Sequence, residues 1–97
     1  MRFPVKTPAA FWWIDTQGTL QQGKGYTRDV SERGVFVVSD ACPPLGVRVR
    51  LHFCLDPSTT HSLGIDVDGH VLRLDDISAG RVPCGFAILN DATKLRS

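Results

Sequence analysis

Hydrophobic residues fall in short runs along this chain, each broken by Gly, Pro, Asp or Ser, and no long stretch keeps a helical spacing. The clearest periodicity lies in residues 47–55. There Val47, Val49, Leu51, Phe53 and Leu55 alternate with Arg48, Arg50, His52 and Cys54, the pattern of a strand with one dry and one wet face. Residues 9–15 carry Phe11, Trp12, Trp13 and Ile14 and suit a strand by aromatic propensity. Gly18, Gly23 and Gly25 then penalise any helix, and the stretch reads as a glycine-rich loop. Residues 26–30 and the β-branched run 35–38 predict strands on either side of a Ser31-Glu32-Arg33-Gly34 turn. Cys42-Pro43-Pro44-Leu45-Gly46 predicts another turn, because two prolines cannot serve a central ladder.

Residues 56–62 read as a loop and residues 63–74 as strand with Gly69 in the middle. Two accounts of that glycine stand open: a tight hairpin at Asp68-Gly69, or one long strand bent at a glycine kink. Residues 80–83 turn again, residues 84–89 give a last strand, and residues 90–97 are polar enough to fray or to form one helical turn. Roughly five or six short strands with frequent turn signals predict an all-β domain. A chain of 97 residues closes its sheet edges most economically as a compact barrel cored by Val, Leu, Phe and Ile.

Composition adds mainly exclusions. Apolar residues at 42% and charged ones at 22% exclude collagen-like, disordered and disulfide-scaffold classes. No apolar run approaches the roughly 20 residues of a membrane helix, and the basic start without a long apolar core predicts no export signal. The net charge of +1 gives no general attraction for polyanions, so an anionic partner must meet a local cluster. Cys42, Cys54 and Cys84 are odd in number and lack CxxC spacing, which argues against an oxidised framework and predicts a reducing cytoplasm.

Most candidate chemistry dissolves on inspection. Gly18 to Lys24 has the spacing of a phosphate loop, but residue 25 is Gly where Ser or Thr must hold magnesium. Asp66-Val67-Asp68-Gly69 lacks the remaining acidic positions of a calcium loop. His52 and Cys54 share the outward face of one strand, yet two ligands do not make a metal site. His52, His61 and His70 have no nucleophile motif around them, so no catalytic residues and no metal are expected. Trp12-Trp13 offers a base-stacking surface, although on a strand one of the two faces the core.

One constellation remains. In Asp29-Val30-Ser31-Glu32-Arg33-Gly34 the carboxylate and hydroxyl are spaced i and i+2, on the same side of a strand end. A polar turn with Gly34 at positive φ would explain it, but Arg28, Arg33 and the arm Arg2-Phe3-Pro4-Val5-Lys6 bring cations close by. A carboxylate that accepts from the N–H edge of guanine, with cations for O6, N7 and phosphate, is equipment for holding a guanine nucleotide.

Those residues resemble the PilZ domain, a bacterial receptor module for the second messenger cyclic di-GMP. Asp29, Ser31 and Gly34 match the family motif Asp/Asn-x-Ser-x-x-Gly, followed as in the family by an apolar strand at 35–38. The alternating strand at 47–55, the long strand through Gly69 and a closing strand through Gly85 and Ile88 are similar in order to the family. The resemblance implies a six-stranded antiparallel β-barrel with a flexible N-terminal arm, residues 1–8, ahead of the barrel domain, residues 9–97, and favours the kinked-strand account of Gly69.

It also implies ligand-binding roles for Arg2, Lys6, Asp29, Ser31 and Gly34. Asp29 and Ser31 would bond the guanine edge, Gly34 would permit the close turn, and Arg2 and Lys6 would serve the arm motif Arg-x-x-x-Arg. Lys6 stands where that motif has its second arginine, and a hydrated point charge replaces a planar fork. A penalty of about 1–3 kcal/mol follows if one bidentate contact is lost. The function implied is a cyclic di-GMP receptor, not an enzyme and without cofactor, whose arm reorders on binding and signals to an unidentified protein partner, with no DNA partner and no membrane insertion. The alternative is a divergent PilZ domain that binds no nucleotide and serves as a protein adaptor in motility, pilus or exopolysaccharide control. A third reading is a barrel for single-stranded nucleic acid that stacks bases on Trp12 or Trp13.

Overall fold

A computed structural model describes residues 2–3, 6–54, 64–75 and 84–96, with residues 2, 3 and 92–96 described by their backbone alone. The expected loop at 56–62, the turn at 80–83, His61, Pro4 and Val5 lie outside these residues. Among the described residues every regular element is a strand: β1 (Arg2–Phe3), β2 (Pro8–Ile14), β3 (Leu20–Ser31), β4 (Gly34–Ser39), β5 (Arg48–Cys54), β6 (Gly64–Asp75) and β7 (Cys84–Arg96). All pairings are antiparallel, in the order β1-β3-β2-β5-β6-β7-β4. The β3–β4 pairing closes the ring, so the chain forms a six-stranded antiparallel β-barrel.

Short β1 is an extension of that barrel. At Val30, strand β3 pairs with Phe3 on one edge and Val35 on the other, and at Tyr26 it pairs with Pro8 and Val38. Both β1 and β2 therefore lie along the edge of β3 opposite β4. Between them Thr7 is buried, its N–H bonded to Thr27 Oγ1 at 3.1 Å and its hydroxyl donating to the Cys54 carbonyl at 2.8 Å.

The interior follows the period-two pattern. Phe11 from β2, Val35 and Val37 from β4, Val49, Leu51 and Phe53 from β5, Val67 and Val71 from β6, and Phe86 and Ile88 from β7 make one buried cluster. Of the tryptophan pair, Trp13 packs against this core and stacks on Phe11 at 5.8 Å, leaving Trp12 on the outside. The predicted proline turn is present, with Gly46 donating to the Val71 carbonyl at 2.8 Å.

Three expectations need correction. The glycine-rich loop is only the turn at residues 15–19, since β3 resumes at Leu20 and carries Gly23, Lys24 and Gly25 as strand. Asp15 builds that turn by accepting the N–H groups of Gln17 and Thr19 at 2.9 Å and the Gln21 amide at 2.9 Å. The Thr19 N–H and the Gln21 amide hold its carboxyl below the usual carboxylate range. Residues 90–96 neither fray nor turn helical; they extend β7 along β6. Lastly, the cysteines are not all unpaired, for Cys42 and Cys84 form a disulfide and only Cys54 is free. An odd count hid one pair distant in sequence, and CxxC spacing is irrelevant when the partners meet through the barrel.

Gly69 is resolved in favour of a continuous strand. β6 runs through it, and the irregularity falls on β7, where Asp91 is the extra residue between the partners of Asp68 and Gly69. A Cβ at Gly69 would strike the Leu89 carbonyl oxygen, so the bulged strand needs glycine at this close approach.

Candidate functional site

The second half of β3 meets β4 in a turn at residues 31–34, and the sequence motif is built around it. Ser31 Oγ accepts the N–H groups of Arg33 and Gly34, each at 3.3 Å, and donates to the Gly34 carbonyl at 3.3 Å. One donor and two acceptor sites are what a hydroxyl has, so the turn engages all of Ser31's capacity. Gly34 is not at positive φ; among the described glycines only Gly18 and Gly46 are. Its requirement is space, because a Cβ there would run into the Ile88 carbonyl oxygen of β7. Asn90, expected in a frayed tail, clamps the turn from outside: its N–H donates to the Arg33 carbonyl at 2.6 Å and its side-chain amide to the Glu32 carbonyl at 3.2 Å.

A row of paired positions crosses the outer face from this turn. Asp29 lies opposite Phe36, Phe36 opposite Ala87, and Ala87 opposite Arg73. Phe36 points outward, since its neighbours Val35 and Val37 supply the core. The register skips Arg28 on β3 and Leu72 on β6, so each is a bulge residue beside one end of the row. Bulges re-aim side chains, and these gather Arg28 and Asp29 at one end and Leu72 and Arg73 at the other.

The result is a groove of about 290 Å³ that Asp29, Ser31, Arg33, Gly34, Leu72 and Arg73 help to line. Arg28 Nε donates to Asp29 Oδ2 at 2.9 Å, and its guanidinium carbon sits 3.8 Å from the centroid of Phe36. Arg73 approaches the same ring at 5.8 Å and pairs with Asp75 at 3.3 Å. One carboxylate, several guanidinium groups and an apolar wall can hold a flat, hydrogen-bonding anion.

The arm residues divide. β1 sets the backbone of Arg2 directly opposite Ser31, one of the residues that line this groove. Lys6 is exposed with its ammonium 5.7 Å from the Tyr26 ring, and it is not part of the groove wall. Elsewhere His52 pairs with Asp66 at 2.7 Å, and among the described residues no three His, Cys, Asp or Glu side chains converge as a metal site.

The family model of the PilZ domain matches residues 13–96. The chain belongs to the PilZ domain family. No curated protein and no solved structure matched it. The match takes in Asp29, Ser31 and Gly34 and starts after the arm, so family membership does not rest on Arg2 or Lys6. PilZ domains are receptor and adaptor modules for cyclic di-GMP, not an enzyme family. The motif was legible in sequence and Arg28 stood out as a nearby cation, but its contact with Asp29 and the places of Arg73 and Asn90 were not legible. For Arg28 a signal existed in its adjacency to Asp29, yet strict alternation would send the two to opposite faces.

Proposed function

We propose that this PilZ domain binds cyclic di-GMP in the groove beside Asp29, and that the arm of residues 1–8 closes over the ligand and presents a changed surface to a partner protein. The observation that carries this reading is the pairing of Arg2 with Ser31, which joins the arm to the turn between Asp29 and Gly34. In it, Asp29 accepts the N1–H and amino edge of guanine. Ser31 holds the Arg33–Gly34 turn in shape, while Arg2 and Arg33 neutralise phosphate and Lys6 adds a more distant charge. Cyclic di-GMP is an intracellular messenger, so the reading places the domain in the cytoplasm, where the Cys42–Cys84 bond is exposed to reduction. DNA and the membrane interior are not partners in it.

Calorimetry with cyclic di-GMP at physiological salt tests the reading. Micromolar or tighter binding is expected, and Asp29→Ala should weaken it roughly ten- to hundredfold, the worth of hydrogen bonds to a charged group. No heat from a folded sample would overturn it.

A specific observation favours the adaptor alternative. Lys6 lies against Tyr26, away from the groove, and Ile14 and Leu20 leave 55% and 62% of their surface exposed beside Trp12 in a patch bordered by Arg48 and Arg50. Lys6→Arg separates the two readings. A receptor should tighten by about tenfold or more as the fork is restored, whereas an adaptor without nucleotide gives no heat with either residue.

A further inference from the structure

The outer face holds a contact that resembles the proposed ligand. Arg28 is the bulge residue of β3, so its side chain shares a face with the next residue, Asp29. Its guanidinium lies 3.8 Å from the centroid of the Phe36 ring and donates from Nε to the Asp29 carboxylate at 2.9 Å. Phe36 is only 5% exposed although it points away from the core, with the Arg28 and Arg73 guanidinium groups against its ring.

Guanine carries the same chemical unit. Its N1–H and 2-amino group form a planar N–C–N donor edge, and its ring system is a flat face that stacks on an aromatic ring. A guanine bonded to Asp29 and laid over Phe36 would need the volume and the hydrogen-bond acceptor that Arg28 occupies. Both cannot be there together.

The geometry points to Arg28 as an internal surrogate for guanine, filling the base position of the unliganded domain and leaving it when the nucleotide binds. This inference rests on the receptor reading and deepens it. Affinity becomes a difference, because the ligand must replace a contact the protein already makes. Selectivity stays with Asp29, because the displaced contact belongs to the free domain and costs every base that takes its place the same. Adenine, as in cyclic di-AMP, presents a single amino donor beside the N1 acceptor, so it displaces Arg28 yet restores only part of the hydrogen bonding to Asp29. A carboxylate left short of donors is what a polar site rejects most strongly.

The test compares wild type, Arg28→Ala and Arg28→Gln by calorimetry with cyclic di-GMP and cyclic di-AMP, and follows the Arg28 Nε–H resonance by NMR. Thermal unfolding verifies that each variant is folded, and Arg28→Gln serves if Arg28→Ala is not. Removing the surrogate should tighten cyclic di-GMP binding about three- to tenfold, the worth of an exposed ion pair and cation–π contact. Cyclic di-AMP binding should tighten by the same factor, leaving the gap between the two unchanged, and in wild type the Nε–H resonance should shift in step with saturation by cyclic di-GMP. Unchanged or weaker binding by both variants overturns the surrogate while leaving the receptor reading intact. No heat from wild type or either variant overturns the receptor reading and the surrogate with it.

Discussion

Phe11→Ala is expected to destabilise the domain by about 3–5 kcal/mol, a large share of the roughly 5–15 kcal/mol that holds a typical domain folded. Phe11 has no exposed surface and sits where the two sides of the barrel meet. Its ring meets Phe86 of β7 edge-on at 4.9 Å and stacks with Trp13 of its own strand at 5.8 Å. The facing strand makes room for it: a Cβ at Gly23, the cross-strand partner of Phe11, would fall on the ring itself. Truncation therefore removes the filler from a space walled by the Phe86 and Trp13 rings and the Gly23 backbone, which strand pairing holds in place, and the cavity term adds to the lost transfer energy. Urea unfolding measures the effect, accompanied by a fall in Tm of roughly 4–8 °C per kcal/mol. A loss below about 1 kcal/mol would contradict a close-packed interior.

The fold was largely legible because the barrel wall is written in period two. Val49, Leu51 and Phe53 alternate with polar residues, and each is buried in the structure. Legibility failed where tertiary pairing overrode local propensity. Gly23 and Gly25 look like loop residues, but in β3 they admit the Phe11 ring and the Val38 carbonyl. Residues 90–96 look like a polar tail, yet each finds a backbone partner or bulge position against β6. No composition rule anticipates a strand whose reason is the neighbour it closes.

The candidate site divides along the same line. Asp29, Ser31 and Gly34 form a contiguous motif, so their spacing alone brought them together. Arg73 reaches the groove only through the pairings Phe36–Ala87 and Ala87–Arg73, which link residues far apart in sequence. Arg28 was hidden by a single extra residue. A bulge shifts the phase of alternation by one, and sequence gives no mark of where that shift occurs. The residues that tune the groove are thus the ones carried by irregularities of the barrel.

Opening the Cys42–Cys84 disulfide is the second change with a large expected effect. The bond spans a sequence separation of 42 and ties the proline turn after β4 to the first residue of β7. Closing a loop of that size in the unfolded chain removes entropy worth about 4 kcal/mol at room temperature, and observed gains are typically 2–4 kcal/mol. Wild type with a thiol reductant and the double variant Cys42→Ser/Cys84→Ser should therefore both unfold at lower temperature, by the same amount. Binding should respond differently. Cys84 pairs with Ser39 at one end of the β4–β7 ladder, whereas the groove begins at the other, where Gly34 pairs with Leu89. The intervening pairs from Val38–Gly85 to Val35–Ile88 hold β7 in place without the bond. Cyclic di-GMP affinity, measured well below the reduced domain's Tm, is then expected to change by less than about twofold. Equal Tm values in all samples would deny the bond its stabilising role. A marked loss of affinity in a domain still folded would instead mean that the disulfide sets the position of β7 beneath Phe36 and Asp29, and that the groove depends on redox state.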